Sequence, residues 1–128
     1  MKTPVFYECD NCKIVLEEIN GQAGEFSCCG RPMKKMTANT SEGAAEKHLP
    51  VVHQNGQEIE VRVGDVFHPM TKEHSIEWVY LETQKGAQRV YLEPDKEPVA
   101  KFVLPQDDKA VAAYAFCNLH GFWKTEIQ

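Results

Sequence analysis

The sequence predicts an all-β protein, in which a small metal-stabilised segment precedes a β-sandwich. Three observations carry that expectation. Short runs alternate apolar and polar residues with a period of two, as in Ile59-Glu60-Val61-Arg62-Val63. Turn signals such as Asn55-Gly56 and Lys85-Gly86 fall between such runs. Four of the five cysteines lie near the N-terminus, in a segment with too few large apolar residues to build a core.

Taken in order, residues 5–7 and 14–18 read as short strands around the first cysteine pair. Asn20-Gly21 marks a turn before residues 25–27. Residues 1–36 form a unit below the ~40 residues at which a metal, disulfides or a partner is usually needed. Residues 37–45 are small and polar and read as a linker. From 46 to 128 the chain reads as one all-β domain. Residues 49–53 and 58–63 form a hairpin across Asn55-Gly56. His48 is expected to start its first strand, and Val66-Phe67 to end another strand before His68. In residues 76–81, Ile76, Trp78 and Tyr80 alternate with Glu77, Val79 and Leu81. Residues 89–92, 99–104, 111–116 and 122–127 complete a set of about seven strands, with turn signals every ~8–12 residues, which suggests an immunoglobulin-like sandwich. No helix of useful length is required.

Composition narrows the function classes. The chain has 128 residues and a net charge of −5, which argues against a broad nucleic-acid surface. No run approaches the ~20 apolar residues of a membrane span. The N-terminal MKTPVFYECDNCK lacks an apolar signal core, so a cytoplasmic location is expected. There thiols stay reduced, and clustered cysteines more often bind metal than pair.

The cysteines divide into two sets. Cys9-x2-Cys12-x15-Cys28-Cys29 can place four thiolates around one tetrahedral ion, with Gly30 giving the backbone freedom beside the adjacent pair. Structural zinc, iron and disulfide pairing are all compatible with that spacing. Iron here would pass one electron at a time and, with every position filled, would do no substrate chemistry.

The second set is Cys117 and His120, with His48, His68 and His74 upstream. One soft sulfur among several imidazoles is a redox-metal donor set, suited to iron or copper. Five protein ligands around iron leave one octahedral position for a small anion. A thiolate donor favours the ferric state. His53, five residues from His48 in the same expected strand, faces the other way and is read as an edge histidine.

These residues are familiar in combination. The first set, with Gly30-x-Pro32-Met33, resembles a desulforedoxin-type domain. Glu46-Lys47-His48, His68-Pro69, His74 and Cys117-Asn118-x-His120-Gly121-x-Trp123 resemble the catalytic domain of the desulfoferrodoxin family, the two-iron superoxide reductases. The resemblance implies an Fe(Cys)4 centre at Cys9, Cys12, Cys28 and Cys29. It implies an Fe(His)4(Cys) centre with His48, His68, His74 and His120 equatorial and Cys117 axial. It further implies reduction of superoxide to hydrogen peroxide, electrons from a rubredoxin or similar donor, and a homodimer. Lys47 would steer superoxide and hold a water that supplies a proton, and Glu46 would bind the oxidised iron at rest. Backbone amides near Asn118 and Leu119 are expected to donate to the Cys117 sulfur. Two positions depart from the family pattern: Ala115 stands where glutamate is often found, and Phe116 where tyrosine is common. Neither is a ligand, and both are expected to alter the surroundings of Cys117. The competing readings are a two-iron electron carrier and a zinc-stabilised binding module.

Overall fold

A computed structural model of the chain describes residues 3–22, 24–40 and 45–128. The chain divides into two compact units, Met1–Thr37 and Ala38–Gln128.

The first unit is made of very short strands. These are β1 (Phe6–Glu8), β2 (Val15–Glu17), β3 (Ser27–Cys28), β4 (Arg31–Pro32) and β5 (Lys34–Lys35). β1 lies between β2 and β5, antiparallel to both. β3 and β4 pair with Cys28 opposite Arg31, leaving Cys29-Gly30 as a two-residue loop. Both loop residues have positive φ, 56° and 71°, as a type I′ turn requires. Gly30 does this without strain, whereas Cys29 is held there at a cost of about 1–2 kcal/mol. Among the described residues of this unit, Phe6, Tyr7 and Cys9 are the buried apolar ones.

The second unit starts with one helical turn, α1 (Ala45–His48). It continues through β6 (Pro50–Asn55), β7 (Glu58–Val63), β8 (Ile76–Thr83), β9 (Ala87–Tyr91), β10 (Val99–Val103), β11 (Ala110–Cys117) and β12 (Gly121–Glu126). Two antiparallel sheets result, ordered β10-β7-β6 and β12-β11-β8-β9. Every strand expected from alternation is present. Between the sheets lies a core of Ile59, Val61, Val63, Val79, Leu81, Phe102, Leu104, Ala113, Ala115 and Cys117. Each fully buried Val, Leu or Ile there contributes roughly 1.5–3 kcal/mol.

The structure corrects four local expectations. His48 does not begin a strand: it ends α1, where the Leu49 amide donates to the Ala45 carbonyl at 2.9 Å. It therefore does not share a strand with His53, which lies exposed on β6. The Asn55-Gly56 turn is shifted by one residue, because Asn55 pairs with Glu58 and the loop is Gly56-Gln57. Val66-Phe67 lies in a turn rather than at a strand end. β8 is buried on both faces except at Glu77, so its alternation is not one of core against solvent. On one face Val79 and Leu81 join the core, and on the other Trp78 and Tyr80 join an aromatic layer. In that layer Trp78 stacks on Phe116 at 5.3 Å and Tyr114 on Phe122 at 5.2 Å. Tyr114 also donates to Glu82 at 2.9 Å, which satisfies two buried polar groups at once.

Within the expected linker, residues 41–44 lie outside the described residues. Asn39 is tied to β12: its amide donates to the Phe122 carbonyl at 2.9 Å, and its side-chain oxygen accepts from the Lys124 amide at 2.8 Å.

Candidate functional site

His48, His68, His74, Cys117 and His120 converge, with one donor atom from each lying within 4.8 Å of all the others. They come from four places in the second unit, and each is held by backbone features that local sequence explains.

His48 is delivered by α1, which is docked on the loop after β7. Asp65 and Val66 amides both donate to the Glu46 carbonyl, at 2.7 and 3.4 Å, and the Gly64 amide to the Leu49 carbonyl at 3.0 Å. Gly64 has φ +91°, and a Cβ there would lie 2.3 Å from the Val66 carbonyl oxygen and 2.7 Å from that of Lys47. Only glycine allows this approach. The imidazole of His48 then stacks on Trp123, centroids 4.8 Å apart.

His68 is fixed in tautomer by its neighbour. Its Nδ1 lies 2.7 Å from the Pro69 carbonyl, which can only accept, so Nδ1 carries the proton and Nε2 keeps its lone pair. Burial, together with His48, His74 and His120, pushes its pKa down to about 4 against the opposing pull of that bond. His74 is clamped by Thr71, whose hydroxyl accepts from the His74 amide at 3.0 Å. Burial first, then His120 and Lys47, holds His74 below its ordinary range.

Cys117 ends β11 opposite Gly121, so Asn118, Leu119 and His120 form a three-residue hairpin loop closed by Gly121 at φ 77°. The sulfur accepts the His120 amide at 3.4 Å. Burial raises the Cys117 thiol, while the backbone amides of His120 and Leu119 favour its thiolate. The Asn118 amide takes no part, since it donates to the Ser75 carbonyl at 3.2 Å. Of the two amides the sequence suggested, that of Leu119 acts on the sulfur, and His120 takes the place of Asn118. Trp123 donates from Nε1 to the His120 carbonyl at 3.1 Å, so a single indole orients two of the histidines.

The donor set fits a metal ion. A metal–imidazole bond of roughly 2.1 Å puts neighbouring nitrogens roughly 3.0 Å apart in a square arrangement. His48 Nε2 lies 3.1 Å from both His68 Nε2 and His120 Nδ1. The Cys117 sulfur is 3.3 Å from His68 Nε2. His74 Nε2 is buried and finds no hydrogen-bond partner among the described residues. A buried nitrogen left unsatisfied costs about 1–3 kcal/mol, which a metal bond would remove. His48, His68 and Cys117 are buried, whereas His74 and His120 are half-buried, so the cluster has one side towards solvent. Exposed Glu46 and Lys47 are on α1 beside it, and the Lys47 charge is felt at His74. His53 is not part of the cluster.

In the first unit the sulfurs of Cys9, Cys12, Cys28 and Cys29 likewise lie within 4.8 Å of one another. All are free thiols, with Cys12 and Cys28 sulfurs 3.1 Å apart and those of Cys28 and Cys29 3.6 Å apart. Tetrahedral bonds of roughly 2.3 Å would space them roughly 3.8 Å apart. The Cys12 amide, more than any other group, lowers Cys9 to about 7. Cys28 is pushed up by the surrounding thiols of Cys12, Cys9 and Cys29. One cation among four such sulfurs would relieve that conflict. Lys13 closes the turn after Cys12 at φ 64°, its amide donating to the Cys9 carbonyl at 2.9 Å.

Four positions with supporting roles were not assigned those roles from sequence: Gly64, Thr71, Asn118 and Trp123. Asn118 and Trp123 sit inside the motif around Cys117, but Glu73 and Ser75, which Asn118 binds, and His48, on which Trp123 stacks, lie far off in the chain. Ala115 packs in the core and Phe116 in the aromatic layer, so both departures fall on β11.

Comparisons with known proteins agree with this geometry. The Desulfoferrodoxin family model matches residues 40–126. The desulfoferrodoxin of Nitratidesulfovibrio vulgaris is 41% identical over 120 residues, 94% of each chain. That of Syntrophotalea carbinolica is 42% identical over the same length. Among solved structures, the superoxide reductase from Treponema pallidum superposes with a TM-score of 0.83 at 37% identity, covering 98% of this chain and 100% of that one. The 1Fe superoxide reductase from Giardia intestinalis gives 0.56 at 33% identity, covering 65% of this chain and 98% of that one. With the histidine–cysteine cluster inside the matched region and the similarity running through the four-cysteine segment, the chain belongs to the desulfoferrodoxin family.

Proposed function

We propose that this protein is a superoxide reductase, converting superoxide, one electron and two protons into hydrogen peroxide. The convergence of His48, His68, His74, His120 and Cys117 around one point, open to solvent on the side near Lys47, is the observation that carries the reading. Iron held by these five residues would supply the single electron, its ferric state favoured by the thiolate.

The remaining work falls to the protein. Lys47 Nζ attracts the anionic substrate towards the half-buried side of the cluster and has N–H donors with which to hold a water as proton source. The carboxylate of Glu46, one residue earlier, is a further oxygen donor that would be available to an oxidised iron held there. The amides of Leu119 and His120 temper the donor strength of the Cys117 sulfur. The buried apolar core behind Cys117 keeps water from that face.

The same proposal assigns residues 1–36 as a desulforedoxin-like domain whose Cys9, Cys12, Cys28 and Cys29 hold a second iron. Residues 37–45 serve as linker and 46–128 as the catalytic domain. Each chain then holds two irons. A rubredoxin or similar protein is the electron donor, the assembly is a homodimer and the compartment is the cytoplasm. Support for these finer assignments comes from the resemblance of the two motifs; among the described residues no helix is long and apolar enough to cross a membrane.

Pulse radiolysis of the reduced, iron-loaded protein tests the activity. One peroxide formed per superoxide consumed, with no dioxygen, is expected. One peroxide per two superoxides would mean dismutation, and absence of reaction would leave an electron carrier.

A further inference from the structure

We propose that Asn118 is a positioning residue of the histidine–cysteine centre: its side-chain amide locks the His74 loop to the Cys117 turn and thereby sets how the sulfur meets the metal. The proposal rests on the reading of that cluster as an iron site.

Three hydrogen bonds join Asn118 to residues 73–75. Its Oδ1 accepts from the Ser75 amide at 3.0 Å, its Nδ2 donates to the Glu73 carbonyl at 2.9 Å, and its own amide donates to the Ser75 carbonyl at 3.2 Å. The amide orientation follows from the partners, because a backbone N–H can only donate and a carbonyl only accept. The contacts bracket His74 from both sides in sequence.

The placement answers a local weakness of the sheet. The β8–β11 register shifts between Phe116 and Cys117, at the end of the ladder. The regular ladder breaks just before Cys117, whose pair with Ile76 is its last, so His74 lies beyond the paired residues. Thr71 ties His74 only within its own loop. Asn118 continues the connection beyond that last pair with a side chain. It also anchors the first residue of the turn from which Leu119 and His120 amides reach the Cys117 sulfur. Releasing it frees His74 and the sulfur to move relative to each other, in the same step.

The test uses full-length, iron-loaded protein and two variants, Asn118→Ala and Asn118→Asp. The aspartate keeps an acceptor for Ser75 but opposes the Glu73 carbonyl with a second acceptor. Expected is a shift of the sulfur-to-iron absorption band and roughly 10–100-fold weaker retention of that iron against a chelator, larger for alanine. The four-cysteine spectrum should not move. Faster hydrogen exchange at the Ser75 amide, read in iron-stripped protein, is the readout independent of metal and activity. Native band position, iron retention and Ser75 exchange in Asn118→Ala would overturn the role. Should alanine fail to fold, the same native values in Asn118→Asp would overturn it. Wild-type stoichiometry with superoxide is measured alongside: its failure overturns the assigned reaction and leaves the comparison of variants intact.

Discussion

Around Cys9 the chain buries Phe6, Tyr7 and the cysteine itself, while Ile14, Leu16 and Ile19 remain 47%, 41% and 77% exposed. Up to Cys117 it buries every residue from Ala112 on, and the cysteine is the last residue of a strand in a two-sheet core. The ligands follow the same division. Cys12 and Cys29 are exposed and sit on turns with residues at positive φ, whereas His48, His68 and Cys117 are buried. In the first unit a metal would have to replace the missing core. In the second the core exists already and holds the donors in place for a metal. On the proposed function, metal binding would therefore be folding energy at one site and chemistry at the other.

The strongest way to break this comparison is Cys117→Ser. It should abolish superoxide reduction while leaving the spectrum of the four-cysteine centre and the far-ultraviolet dichroism unchanged; retained activity would refute a role for the thiolate. Next in size is metal removal. Chelation should erase amide protection at Phe6–Glu8 and Val15–Glu17 while β8 and β11 stay protected, as followed by hydrogen exchange. Equal loss in both units would show that the second also depends on its metal. Lys47→Ala is a smaller change. The second-order rate with superoxide should fall about tenfold at low salt and approach wild type as salt rises, because steering by an exposed cation is screened. His53→Ala sharpens the contrast from the other side. Iron content should be unchanged and stability should stay within about 0.5 kcal/mol by denaturant titration, since His53 lies outside the cluster.

Much of this was legible in the chain because it is written in local spacing. Alternation revealed the strands, and residue chemistry grouped the five donors of one site and the four of the other. What escaped depends on contacts between distant segments. The Ala45–His48 turn is held by the loop at Gly64, not by its own helix propensity, so it looked like a strand start. β8 was legible as alternating but not as buried twice, because the aromatic layer forms only once Tyr114, Phe116 and Phe122 are beside it. Asn118 belongs to a recognisable motif, yet its partners lie 43 and 45 residues away. Leu119 was legible as a donor to the Cys117 sulfur, whereas His120 stands in for Asn118 because the Asn118 amide is taken by distant Ser75.

The indole of Trp123 has a consequence of another kind. The chain has two tryptophans, and this one lies face to face with a candidate ligand, 4.8 Å from the His48 ring, while the other is stacked on Phe116. Emission from Trp123 should therefore be quenched when the site takes up a redox metal and recover when the metal leaves. In a Trp78→Phe variant, excited beyond the tyrosine band, the remaining tryptophan fluorescence would come from Trp123 alone. The protein would then carry a built-in optical gauge of its own loading, readable in real time at micromolar concentration without any added dye.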